Sequence, residues 1–142
     1  MKKIAIVRVR GSVNLRKEIK NTLNLLRLYR KNYCVIVEDN PSYKGMIKKV
    51  KDYVTYGEID DETYKELIEK RGEEYKGREK DRKGKINYKK FILIENKKIK
   101  PFFRLNPPRK GFGRKGIKVG FKAKGALGYR GDKINDLLKR MI

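Results

Sequence analysis

The 142-residue sequence contains no histidine and a single cysteine, Cys34. The missing histidine removes the usual general base, and the two scarcities together exclude most zinc sites and any intrachain disulfide. Cys34 lies in the apolar run YCVIV with no basic partner implied beside it, so it reads as a small buried residue rather than a reactive thiol. Long hydrophobic runs are also missing. Nothing approaches the roughly 18 apolar residues of a spanning helix, and the apolar start, Ile4 to Val7, stops at Arg8, too soon for a secretory signal. The basic segments lack the bulky apolar face of an interfacial helix, so no membrane partner is expected and the chain reads as intracellular. No Walker loop is present, and no cofactor is implied.

What the chain has in excess is positive charge. Lys and Arg number 40 against 17 Asp and Glu, a formal net charge of +23, with a pI near 10.1. Self-repulsion on this scale points to a polyanion as the normal partner. Between Asn96 and Gly131 stand twelve Lys or Arg, six Gly before Gly131 and no acid. Phe102, Phe103, Phe112, Phe121 and Tyr129 are interleaved with these cations. Rings of this kind stack on unpaired bases, cations meet phosphates, and glycines let backbone approach a groove. Gly111, Gly113 and Gly116 match GxGxxG, but prolines precede them and no helix pattern follows, so a dinucleotide site fails its context. Paired carboxylates, Glu38 with Asp39 and Asp60 with Asp61 and Glu62, fall where helix caps explain them, and the arm holds none for a metal-dependent nuclease.

Along the chain, Lys3 to Arg10 alternates as a strand, and Ser12 or Asn14 caps the next helix, predicted to run to about Tyr29 on a stripe of Leu15, Ile19, Leu23 and Leu26 widened by Leu25 and Leu28. Tyr33 to Val37 is a second strand. Asp39 and Asn40 are cap candidates, Pro41 suits a first helical position, and Met46, Ile47 and Val50 give that helix its stripe. Gly45, inside it, predicts a compensating close approach. Val54 to Ile59 is a third strand and Asp60 caps a helix carrying Tyr64, Leu67 and Ile68. Residues 73 to 83 read as a charged linker. Part of Phe91 to Leu105 is expected to cover a sheet face bearing Ile4, Ile6, Cys34 and Ile36. Pro107 and Pro108 set an extended path before Arg109 and Lys110. A final helix has Asp132 as its cap and Ile134, Leu137, Leu138 and Met141 as its stripe.

These residues also carry a resemblance. VIVEDNPSYKGMIKKVKDYVTYGEI, with the opening IAIVRVRGS, resembles the universal large-subunit ribosomal protein family thirty, number seven in the eukaryotic ribosome. RLNPPRKG at Arg104 to Gly111 and the closing GYRGDKINDLLKRMI look like the extension of its archaeal and eukaryotic members, and the lack of a long basic N-terminal extension suggests the archaeal type. The resemblance implies an α+β fold, ferredoxin-like, with a small three-stranded sheet and helices packed on one face: a core domain at residues 1–58 and a C-terminal extension at 59–142. It implies no enzymatic activity, and binding to large-subunit rRNA near the 5S rRNA, as a monomer among neighbouring ribosomal proteins of the cytoplasmic ribosome. The expected RNA contacts are Arg8, Arg10 and Ser12 at one loop and Lys44 and Lys48 at another. Along the arm they are Arg104, Arg109, Lys110, Arg114, Lys115, Lys118, Lys122, Lys124 and Arg130. The arm is expected to order only on binding. The rival reading is a free-standing RNA- or DNA-binding, chromatin-like protein, which would take duplex DNA about as well as RNA.

Overall fold

The computed structural model describes residues 3–11, 15–73, 92–94, 97–109, 111, 112, 116, 119–123 and 125–142, and for 92–94, 97 and 98 the backbone alone. Its centre is strand β1, Lys3–Arg8, buried along all but its first residue. Antiparallel β2, Tyr33–Glu38, pairs on one side with Lys3 opposite Glu38 and Val7 opposite Cys34. Antiparallel β3, Val54–Glu58, pairs on the other with Ile4 opposite Glu58 and Arg8 opposite Val54. Helix α1, Lys17–Leu25, joins β1 to β2, and α2, Pro41–Val50, joins β2 to β3. The parallel pair β2 and β3 thus flanks β1, a split β-α-β unit.

Asn40 caps α2, its Oδ1 accepting the Tyr43 N–H at 2.9 Å, with Pro41 leading the helix as its sequence requires. Nothing lies within 4 Å of the place a Cβ on Gly45 would take, so the close approach predicted there is absent. Helix α1 stops at Leu25, earlier than its apolar stripe predicts. Leu28 N–H donates to Leu23 O at 2.9 Å and Arg27 N–H to Asn24 O at 3.0 Å, with Arg27 at φ 63°. This is a Schellman turn, and it folds Leu28 back onto the core while Leu25 points to solvent. Ser12 and Asn14, the cap candidates, lie outside the described residues, and Arg16 holds the N-cap position without a side-chain bond.

The remaining elements are α3, Asp61–Arg71; β4, Ile92–Ile94; β5, Lys97–Ile99; β6, Phe103–Arg104; β7, Gly128–Tyr129; and α4, Ile134–Met141. Strands β4 and β5 pair as a small antiparallel sheet. The main sheet has five strands in the order β6-β2-β1-β3-β7, not three. Two-residue strands show no alternation, which is why β6 and β7 are invisible in the sequence. The fold is α+β with a mixed sheet, because β7 runs parallel to β3. Both halves of the chain build this one sheet.

Helices cover both faces rather than one. Ile4, Ile6, Val35 and Val37 pack with Leu23 and Leu26 from α1 and Ile47 and Val50 from α2. Ala5, Val7 and Cys34 pack with Leu67 from α3, with Phe103 and Leu105, and with Ile134, Leu137, Leu138 and Met141 from α4. The face carrying Cys34 and Ile36 is therefore the one the C-terminal half covers, whereas Ile4 and Ile6 belong to the α1–α2 face. Alternation within one strand says which residues share a face, and only strand pairing joins faces across strands. Ala5 stands opposite Gly57, and a Cβ on Gly57 would collide with the Gly131 carbonyl, so this small pair makes the trough in which the chain enters α4. Asp132 lies in a 3₁₀ turn, Gly131–Lys133, before α4, and Lys133 at the N-cap position makes no side-chain cap bond. Asp60 does cap α3, accepting Thr63 N–H at 2.7 Å, and hydrogen bonding from Thr63 holds its carboxyl below its ordinary range.

Candidate nucleic-acid interface

Because β1 and β2 are antiparallel, the two basic loops expected to contact RNA emerge at opposite ends of the sheet. Arg8 and Arg10 follow the Val7 end, and Lys44 follows the Glu38 end. Five pleated steps separate the ends by roughly 15–20 Å.

At the Val7 end, Arg8 is only 2% exposed. Its Nη1 donates to Leu28 O at 2.7 Å and its Nε to Arg10 O at 3.0 Å, so it ties the turn after α1 to the end of β1, and burial pushes its pKa down. Arg10 is half-buried, its guanidinium 5.0 Å from the centre of the Tyr53 ring. Ser12 lies outside the described residues. A groove of about 510 Å³ opens here between Val9, Gly11, Arg30, Lys31, Asn32, Pro107 and Phe112. Arg30 and Lys31 are exposed cations at this groove that sequence reasoning did not single out, although their YRKN run between helix and strand is a visible signal.

The proline segment reaches the same groove on a held path. Asn106 N–H donates to Met141 O at 3.1 Å and Arg109 N–H to Arg140 O at 3.2 Å, satisfying carbonyls at the end of α4. Arg140 Nη1 returns bonds to Arg109 O at 3.0 Å and Gly111 O at 2.7 Å. Gly111 has φ 75°, which a glycine takes without strain. Arg109 is left exposed. Lys110, Arg114, Lys115, Lys118 and Lys124 lie outside the described residues.

Lys44, Lys48 and Lys51 line a second groove, of about 520 Å³, between α2 and the β3–β7 edge. Lys51 was missed in the sequence, yet its spacing of three and seven residues from the other two places all three on one face of a helix. Lys44 pairs with Asp39 at 3.0 Å. Lys122 is exposed in a 3₁₀ turn, Phe121–Ala123. Arg104, on edge strand β6, is exposed and donates from Nε to Glu73 Oε1 at 2.6 Å. That pairing raises its pKa.

Arg130 is buried, 6% exposed, and works inside the protein. Its Nε donates to Thr55 Oγ1 at 2.7 Å, and its Nη2 to Phe112 O at 2.7 Å and Ala126 O at 3.0 Å. Thr55 Oγ1 in turn donates to Gly128 O at 2.9 Å, and the guanidinium lies 4.9 Å from the Phe121 ring centre. Burial, then repulsion from Arg140, pushes the Arg130 pKa down to about 10. This network fixes the arm's return to β3, so the described parts of the arm are elements of the fold and not a free thread. Phe103 is core, Phe102 stacks on Tyr33 at 5.4 Å, and of the arm's five rings Tyr129 is the exposed one.

Among the described residues, no group of three or more His, Cys, Asp or Glu is placed to hold a metal, and no helix is long and apolar enough to cross a membrane. The site offers hydrogen-bond donors and positive charge at two ends of one sheet, with prolines and backbone bonds fixing one of them. Residues 4–54 match the family model described as ribosomal protein L30p/L7e. The large ribosomal subunit protein uL30 of Methanococcus maripaludis is 51% identical, the match covering 97% of this chain and 98% of the relative. That of Nanoarchaeum equitans is 52% identical with 97% of each chain covered, and that of Methanopyrus kandleri 44% identical with 94% and 100% covered. A match sustained across α3, the arm and α4 as well as the split β-α-β unit places this chain in the ribosomal protein L30p/L7e family, on the side of its archaeal members.

Proposed function

We propose that the protein is a structural constituent of the large ribosomal subunit in the cytoplasm, a monomer among neighbouring ribosomal proteins, that binds and stabilises large-subunit rRNA close to the 5S rRNA. The observation that carries this is near-full-length identity of about half with proteins named for the large subunit, in a chain of net charge +23. No catalytic step is assigned to any side chain. The mechanism is scaffolding: cations at the two ends of the sheet neutralise phosphates of separate RNA segments, and each contact releases condensed counterions. Arg10, Arg30, Lys31 and Arg109 serve the groove at the Val7 end, and Lys44 and Lys48 the α2 side. Ser12, Arg104, Lys122 and the arm cations Lys110, Arg114, Lys115, Lys118 and Lys124 complete the set. Arg8 and Arg130 act as positioning residues that hold the turns bearing these cations. The family resemblance is what supports the placement near the 5S rRNA.

Sedimentation of lysate in a rising salt series tests the assignment. Comigration with large subunits into high salt is expected, and crosslinks from Arg109 or Lys110 should recover large-subunit rRNA near the 5S contact. A peak among free proteins or on DNA would replace this reading with that of a free-standing nucleic-acid binder.

A further inference from the structure

We infer that the groove between α2 and the β3–β7 edge holds one unpaired RNA base, stacked on Tyr129, with its flanking phosphate on Lys48 and Lys51. The inference rests on the reading of the chain as an rRNA binder and goes beyond it by naming the part of the RNA taken here. Tyr129 is 47% exposed, whereas the arm's other rings are buried or half-buried. It is not loose. Strand pairing sets Tyr129 opposite Tyr56, with ring centroids 5.5 Å apart at 47°. Its hydroxyl lies 2.7 Å from both oxygens of Glu58 and donates to that carboxylate, a bond that raises the tyrosine pKa. The ring is anchored at its edge and against one neighbour while much of its surface meets solvent. A platform held in this way loses little freedom when a base stacks on it.

Charge favours a nucleotide over an apolar ligand, and the exposed ring favours a nucleotide over an acidic-faced protein. Of the two acids at the groove, Asp39 is paired with Lys44 and Glu58 accepts from Tyr129. Lys48 and Lys51 are exposed and have no partner among the described residues, so they stand ready for a phosphate. The groove, about 520 Å³, is large enough for a single nucleotide. A duplex presents phosphates but keeps its bases stacked inward, so it would use the lysines and leave the ring idle.

The test uses the full chain with two probes, a nine-nucleotide single-stranded RNA carrying a central 2-aminopurine and an RNA duplex of the same length. The parent should quench 2-aminopurine on binding. Tyr129→Leu should abolish the quenching and weaken single-strand binding about tenfold while leaving duplex binding within about twofold. Tyr129→Phe removes the bond to Glu58 but keeps the ring, and should retain quenching, which separates stacking from damage to the fold. Lys48→Gln with Lys51→Gln should weaken both probes and lower the salt slope by about one unit per lost contact. Undiminished single-strand binding by Tyr129→Leu overturns the inference, as does an equal loss on both probes. If the parent binds neither probe nor large-subunit rRNA, the rRNA reading itself falls. If it binds all three and Tyr129→Leu changes nothing, only the base site falls.

Discussion

Arg8 and Arg130 show what a charge count misses. Both sit among cations that invite a phosphate, yet each turns its guanidinium inward to backbone carbonyls, Arg8 to Leu28 and Arg10, Arg130 to Phe112 and Ala126. The cluster was legible in the sequence; which member of it faces inward depends on strand ends and turns that bring distant carbonyls within reach. Replacing Arg130 with Met should therefore cost about 3 kcal/mol of stability, because buried acceptors lose their donors. Urea denaturation measures this, and the salt slope of rRNA binding by the remaining folded protein should stay the same. An unchanged midpoint with a lower slope would make Arg130 a phosphate ligand after all. Glu73 offers a pH signature at the same scale. Partial burial pushes its carboxyl up, but hydrogen bonds and charge from Arg104 and Lys100 outweigh that and hold it below its usual value of 4.5. Its folded-state pKa is thus below the unfolded one, so the clasp contributes fully above about pH 4.5 and is lost as pH falls through the lower folded value. The groups are partly exposed, so the effect is at most about 1 kcal/mol. Parent protein should lose that much more stability than Glu73→Gln between neutral pH and pH 3, as followed by urea midpoints; parallel curves would show that the clasp is idle.

Elements differ in how plainly they announce themselves. Helix α2 is written out by Asn40, Pro41 and its apolar stripe, whereas the end of α1 is concealed because Arg27 takes a left-handed φ of 63° that its residue type does not advertise. Leu26 and Leu28 then keep the stripe going through a turn that is no longer helix. Gly45 misleads in the other direction, since it implies a contact and stands in open space. Gly45→Ala should stabilise the free protein by about 0.5–1 kcal/mol, read as a higher urea midpoint. A lower midpoint would mean that the position is crowded. Pro107 and Pro108 read in the sequence as an extended path before Arg109 and Lys110, but the chain turns directly after them, Gly111 N–H donating to Pro108 O at 3.2 Å, and the clip to α4 through Arg140 was not legible, as it joins residues some thirty apart. Replacing Pro107 and Pro108 with Gly keeps every cation and loosens the path, at about 0.4–1 kcal/mol for each proline. Affinity for an rRNA fragment should fall by roughly a few-fold to thirtyfold at an unchanged salt slope, while Arg109→Ala with Lys110→Ala should lower the slope by about one unit per contact. If the double-glycine variant binds as tightly as the parent, the α4 clip alone fixes the path.

On the scale of the whole molecule, the central strands and four helical stripes could be placed from periodicity. The closing of the sheet could not. Phe103 enters the core beside Cys34, and Gly128 and Tyr129 extend the opposite edge, so deleting residues 101–131 would remove two strands and buried side chains along with the cations. The arm's charge has to be tested with the backbone intact. Lys110, Arg114, Lys115 and Lys118 changed together to Gln remove four cations from an acid-free stretch, and Lys76, Arg78, Lys80 and Arg82 changed to Gln remove four from a stretch that also holds Glu74, Glu79 and Asp81. Each phosphate neutralised contributes about 0.7 to 0.9 to the slope of log affinity against log salt. If the arm's cations lie on rRNA, the first set should flatten the slope by about three units in filter-binding titrations. The second should change it by less than about one, because cations balanced by nearby acids gather fewer phosphates. Equal flattening by the two sets would mean that the protein holds rRNA by net charge wherever it lies, and that the placement of the arm by Arg130 and α4 serves folding rather than binding.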